Sequence, residues 1–119
     1  MAAPNLKNPT YIYGRTARYA VTTSLGNALA NSPSSGKVFK INSIFCANVD
    51  GTNAADISVT IYNGTTDFYQ AKTITVPADA TQIISTKETY FYLEEGDSIR
   101  AVANANGDLE LIIGYEDIS

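Results

Sequence analysis

The chain has 119 residues, 45% hydrophobic and 17% charged, the composition of one globular domain with a single core. Eight scattered lysines and arginines against twelve acids give a net charge of −4 and no basic stripe, which argues against nucleic-acid binding. Histidine is absent, removing Ser–His, Cys–His and His–metal chemistry, and one cysteine cannot form an internal disulfide.

No apolar run approaches the roughly 18 residues of a membrane span. The opening "MAAPNLKNPT" lacks an apolar signal region, which predicts a cytoplasmic product that is not exported by the Sec route. Residues 1–9 carry two prolines, two asparagines and Leu6, and are expected to form an extended arm, lying on a neighbouring subunit or fraying.

From Thr10 onward short β-rich runs alternate with turn signals, so residues 10–119 form the domain. After a run at 10–13, "ARYAVTT" (17–23) sets Tyr19 and Val21 against Arg18, Ala20 and Thr22. "TSLGNALAN" (23–31) admits a helical turn, but Gly26 between two strand candidates favours another strand. "KVFKINSIFCANV" (37–49) groups Phe39, Ile41, Phe45 and Val49 on one face, with Lys40, Asn42 and Asn48 opposite. "DISVTIY" (56–62) alternates Ile57, Val59 and Ile61 with Ser58, Thr60 and Tyr62. Runs at 67–76, 81–86, 89–93 and 98–103 follow, and "DLELIIGYE" (108–116) sets Leu109, Leu111, Ile113 and Tyr115 against Glu110, Ile112 and Gly114. Period two marks strands with one buried face. About eight or nine short strands, ~8–12 residues apart, predict an all-β fold: one antiparallel β-sandwich, jelly-roll or immunoglobulin-like.

The stretch "YLEEGDSIRA" (92–101) holds the densest acids. Consecutive strand residues point to opposite faces, so Glu94 and Glu95 cannot converge on one substrate if the strand continues. A turn over Leu93–Gly96, with Gly96 left-handed, would form a hairpin opposing Leu93 to Asp97 and Phe91 to Ile99. Gly64 is a second expected turn glycine, in "NGTTD". "VDGTNAAD" offers Asp50, Asn53 and Asp56 as oxygen ligands but lacks EF-hand spacing, and reads as a hairpin loop. "YGRT" (13–16) lacks the P-loop spacing, and Cys46 lies in a strand without a partner base. No catalytic, metal or cofactor site is expected.

Eight tyrosines and no tryptophan remain. Tyr suits interfaces because its ring buries well while its hydroxyl stays satisfied. The candidate interface residues are Leu6, Tyr11, Tyr13, Tyr62, Tyr90 and Tyr92.

Taken together, "MAAPNL", "KVFKINSI", "ANVDGTNAADISVTIY", "AKTITVPADAT", "YLEEGDSIRA" and the closing "YEDIS" make the chain resemble small structural proteins of tailed bacteriophages of aquatic bacteria, including cyanophages. The resemblance spans nearly the whole chain and carries no catalytic residues. It implies a virion component: a non-enzymatic, homo-oligomeric capsid decoration (cement) protein bound to the major capsid protein or another virion protein, with no nucleic-acid or membrane partner. A tail, neck or fibre-attachment component is the first alternative, and a carbohydrate-binding module for host attachment the second.

Overall fold

The structure, a computed structural model, describes residues 4–119. Nine strands form two antiparallel sheets: β1 (Ile12–Ala20), β2 (Gly26–Ala30), β3 (Val38–Asn48), β4 (Ala55–Tyr62), β5 (Asp67–Val76), β6 (Thr81–Ser85), β7 (Phe91–Leu93), β8 (Ser98–Ala103) and β9 (Leu109–Ile118). The front sheet runs β1-β9-β3-β6, with β7 also on β3; the back sheet runs β2-β8-β4-β5. β6 and β7 pair with different stretches of β3, Ile44–Ala47 and Phe39–Ile41, and so share one strand position. A single 3₁₀ turn, Lys87–Thr89, joins them.

Counting that position once, the chain pairs first with last, second with seventh, third with sixth and fourth with fifth, across two sheets. This is the jelly-roll wrap, which decides between the two sandwich types that the spacing allowed.

The alternating residues build the core between the sheets. Ile41, Ile44, Leu93, Leu111 and Ile113 come from the front, and Ile57, Val59, Ile99 and Ala101 from the back; all are fully or almost fully buried. Each large side chain of this kind contributes roughly 1.5–3 kcal/mol by leaving water.

One strand departs from simple alternation. The β3–β9 register shifts between Ile41 and Ser43, so Asn42 is an extra, bulged residue. The bulge reverses the faces beyond it. Phe45 and Val49, expected inward with Phe39 and Ile41, point outward with 36% and 52% of their surface exposed, while Cys46 and Asn48 turn into the core.

Buried asparagines stitch the two ends of the sandwich. Asn31 donates from Nδ2 to the Lys37 and Leu93 carbonyls (both 3.0 Å), and its own backbone bonds Gly96 and Asp97. At the opposite end Asn48 donates to the Asn53 and Val76 carbonyls (3.0 and 2.9 Å). Each ties the end of a strand in one sheet to the end of a strand in the other, leaving no buried amide group of the side chain without a partner.

Candidate interaction surface

The acidic stretch is a turn. Gly96 has φ +86°, and the Asp97 N–H donates to the Glu94 carbonyl at 3.0 Å. It is not a hairpin, however: β7 belongs to the front sheet and β8 to the back, so the turn carries the chain across the sandwich. Phe91, Leu93, Ile99 and Ala101 do all face the core, but from opposite sides. Glu95 accepts a hydrogen bond from the Gly36 N–H (3.1 Å), anchoring the 31–37 loop.

The 50–53 loop likewise links the sheets rather than closing a hairpin. The Asp50 carboxylate accepts from the Thr52 N–H at 2.8 Å and from Asn53 Nδ2 at 3.3 Å, and these bonds hold its pKa below the usual value. Its oxygens thus serve the turn. No cluster of three metal-ligating acids or thiols occurs among the described residues. Burial pushes the Cys46 thiol up to about 11, the opposite of an activated nucleophile. No helix among the described residues is long and apolar enough to cross a membrane.

Gly64 has φ +94° in a four-residue loop between Tyr62 and Asp67, where Asn63 Oδ1 accepts from the Thr65 and Thr66 N–H groups (3.0 and 2.8 Å). Residues 1–3 of the expected arm lie outside the described residues. Asn5–Asn8 make a turn closed by the Asn8 N–H on the Asn5 carbonyl (3.1 Å), with Leu6 exposed. The chain is then fastened to its own end, Tyr11 and Ser119 exchanging backbone hydrogen bonds of 2.8 and 2.9 Å.

The candidate tyrosines fall in three places. Tyr11 and Tyr13 stack along the start of β1, with centroids 5.7 Å apart and planes at 14°. Tyr90, just before β7, and Tyr92 on it meet edge to face at 5.9 Å. Tyr62 lies on the outward face of the back sheet. Cations occupy many of the rings: Arg15 over Tyr13 (5.3 Å), Lys40 over Tyr90 (4.5 Å), Arg100 over Tyr62 (4.3 Å) and Lys72 over Tyr69 (5.1 Å). Half of the chain's eight cations are therefore engaged with its own aromatic faces.

The front sheet's outward face carries the feature that strand parity misplaced. Register sets Ile83 beside Phe45, Phe45 beside Ile112, and Ile112 beside Arg18. The three apolar side chains form one row across three strands, 51%, 36% and 40% exposed. Ala47, Glu110 and Ala20 make the next row, and a shallow depression of about 220 Å³ opens between Arg18, Ala20, Glu110 and Ile112. The sequence showed only half of this row, an outward Ile112, because parity put Phe45 inward; the bulge at Asn42 brings the two together.

The centre of the back sheet's outward face is polar and internally bonded, with Tyr69 exposed on β5 beside it. The Thr60 hydroxyl donates to Asp67 Oδ1 at 2.7 Å, and Arg100 pairs with Asp67 Oδ2 at 3.5 Å while covering Tyr62. Thr60 is fully buried beneath this cluster.

No family model matches the sequence, and no curated protein matches it. Among solved structures, the chain is similar to a protein of Bacillus endospore appendages, described as a novel family of disulfide-linked pili. The TM-score is 0.55 at 12% identity, covering 100% of this chain and 96% of the other. It also matches a pentameric capsid protein from metagenomic phage sequences, with TM-score 0.41 and 17% identity, over 85% of this chain and 59% of the other. The first likeness is one of fold.

Proposed function

We propose that this protein is a non-enzymatic structural component of a large assembly, a virion decoration protein that docks through the outward face of its front sheet. The observation that carries the reading is the exposed Ile83–Phe45–Ile112 row. A contiguous apolar strip across three strands of one sheet face marks a surface for another protein. The acids of the 50–53 and 94–97 stretches serve turns, and the Cys46 thiol is buried and neutral.

The sequence resemblance points to the virion; the head is our reading, because a small, acidic, self-sufficient sandwich suits an outer-surface role. A pilus and a capsid protein among the structural matches are compatible with a building-block role, although fold alone does not carry function. Disulfide linkage, the property of those pili, has no counterpart in the described part of this chain, whose one thiol is buried. A glycan-binding role needs open aromatic faces, and Tyr13, Tyr62, Tyr69 and Tyr90 each have a cation over one face.

The test is a density map of the particle that carries this chain, alongside particles assembled with Phe45→Asp/Ile112→Asp protein. Density on the head exterior with the front sheet turned inward, and its loss in the variant, is the expected result. Density confined to tail or neck overturns the decoration reading; full retention of the variant overturns the docking face.

A further inference from the structure

We propose that the free edge of β1 is a self-association surface, on which a second copy of the chain lays its own β1 antiparallel across a two-fold axis through Thr16. The two front sheets then become one. This goes beyond the structural role above and does not depend on it.

Among the described residues, no strand pairs with the side of β1 turned away from β9. The β1–β9 register is unbroken from Ile12 to Ala20, so that open side is a regular ladder. The other edges are interrupted. β2 and β5 carry register breaks, and β5 also holds Thr73 at φ 53°. β6 has a break, and β7 spans only three residues. Bulges and short strands are two of the devices that keep edges from pairing, and β1 has neither, although it carries Arg15 and Arg18.

The direction of its backbone groups follows from the Tyr11–Ser119 exchange. In an antiparallel ladder such exchanging pairs alternate with pairs whose groups point away. The N–H and C=O of Ile12, Gly14, Thr16, Arg18 and Ala20 therefore face the open edge.

Gly14 is the second observation. It sits mid-strand without a positive φ, and a Cβ there would meet nothing within 4 Å. Glycine weakens a strand interior, and nothing within one copy requires it; such a glycine often marks a close approach by another chain.

Charge selects the register. Arg18 is exposed and makes no ion pair among the described residues, and Glu116 binds only Asn42 Nδ2, at 3.0 Å. Lys40 lies opposite Glu116 but places its ammonium over Tyr90. A two-fold through Arg15 or Arg18 would set like charges face to face, which is unfavourable. A two-fold through Thr16 pairs the whole of β1 with itself. It sets Ala17 opposite Arg15 and Gly14 opposite Arg18. Gly14 is itself opposite Glu116 on β9. Arg18 of one copy can then reach over the bare Gly14 of the other to Glu116, across two strand spacings of about 4.8 Å each. The two-fold makes this contact twice.

Sedimentation of the full chain tests the proposal, with a concentration-dependent dimer as the expected result. Arg18→Glu and Glu116→Arg should each weaken it on the order of tenfold or more, and their combination should restore it. Gly14→Val should weaken the dimer while leaving the unfolding midpoint of the monomer unchanged or higher. Thr16→Cys should form a disulfide-linked dimer under mild oxidation, because facing residues of an exchanging pair lie about 5.5 Å apart at Cα; buried Cys46 does not compete. A chain that stays monomeric to millimolar concentration overturns the proposal. So does a dimer indifferent to Gly14→Val and not cross-linked through Thr16→Cys, even if the charge variants fail to fold. Loss of particle binding by Phe45→Asp with the dimer intact would separate this edge from the docking face.

Discussion

The outward faces of the two sheets use their side chains in opposite ways. On the back sheet Thr60, Asp67, Arg100 and Tyr62 close on one another, and a fully buried threonine lies beneath the ion pair. On the front sheet Ile83, Phe45 and Ile112 line up in the open. An antiparallel sandwich needs only its inner faces to fold, and either outer face can be left to water. A polar face whose groups bond one another therefore serves the monomer, whereas an apolar one has no purpose until something covers it. The difference is the ground for proposing the front sheet as the working surface, without any appeal to catalysis.

That contrast rests on the Asn42 bulge, and the largest expected effect tests the bulge directly. If it exists, Cys46 is inside and Phe45 outside. The native thiol should then react with a thiol reagent orders of magnitude more slowly than the unfolded chain does. Its pKa of about 11, against an ordinary 9.0, carries a second consequence. Between these values the folded state keeps a proton that the unfolded state has lost, so this contribution to stability is fully present below pH 9 and falls as pH rises towards 11. Comparing wild type with Cys46→Ala isolates it from the lysines and tyrosines that titrate nearby. A thiol that reacts at full rate in the native chain would put Phe45 back in the core and remove the apolar row.

The sandwich was legible because residues such as Ile57, Val59, Leu109 and Leu111 alternate without interruption, and their faces follow from geometry alone. Phe45 was misplaced because a bulge leaves no mark in hydrophobic periodicity: one inserted polar residue, Asn42, looks like any outward position. The turn at Gly96 could be read from its chemistry, but its destination could not. Glu94–Asp97 would look the same whether the next strand paired with β7 or crossed to the other sheet. The tyrosines were visible, but the cations over them were not, since Lys40 and Tyr90 are brought together only by the pairing of β3 with β7.

The next effect in size lies on the back sheet. Asp67→Ala removes the acceptor of the buried Thr60 hydroxyl and the partner of Arg100, whose Nε already lacks one. Leaving a buried hydroxyl unsatisfied costs about 1–3 kcal/mol, which denaturant unfolding would read as a lowered midpoint. Thr60→Val in the same background should recover part of that loss, because it removes the unsatisfied group and keeps the branched shape. A neutral Asp67→Ala would show that this face is merely polar, and the contrast with the front sheet would shrink to composition.

Ile112→Thr should have the smallest effect on the monomer. The side chain is 40% exposed and flanked by Phe45 and Arg18, so folding gains little from it. Threonine keeps the β-branch that suits a strand, and its hydroxyl can remain hydrated. The expected change in unfolding free energy is within about 0.5 kcal/mol, the range for surface substitutions away from special features. Retention on the assembly should fall nevertheless, because the β9 end of the row would no longer be dry when covered. Stability and binding separate here, whereas on the back sheet they should move together or not at all. If Ile112→Thr instead unfolds the chain as readily as a core truncation, the row is part of the monomer's own packing, and the front sheet loses its claim to be the working surface.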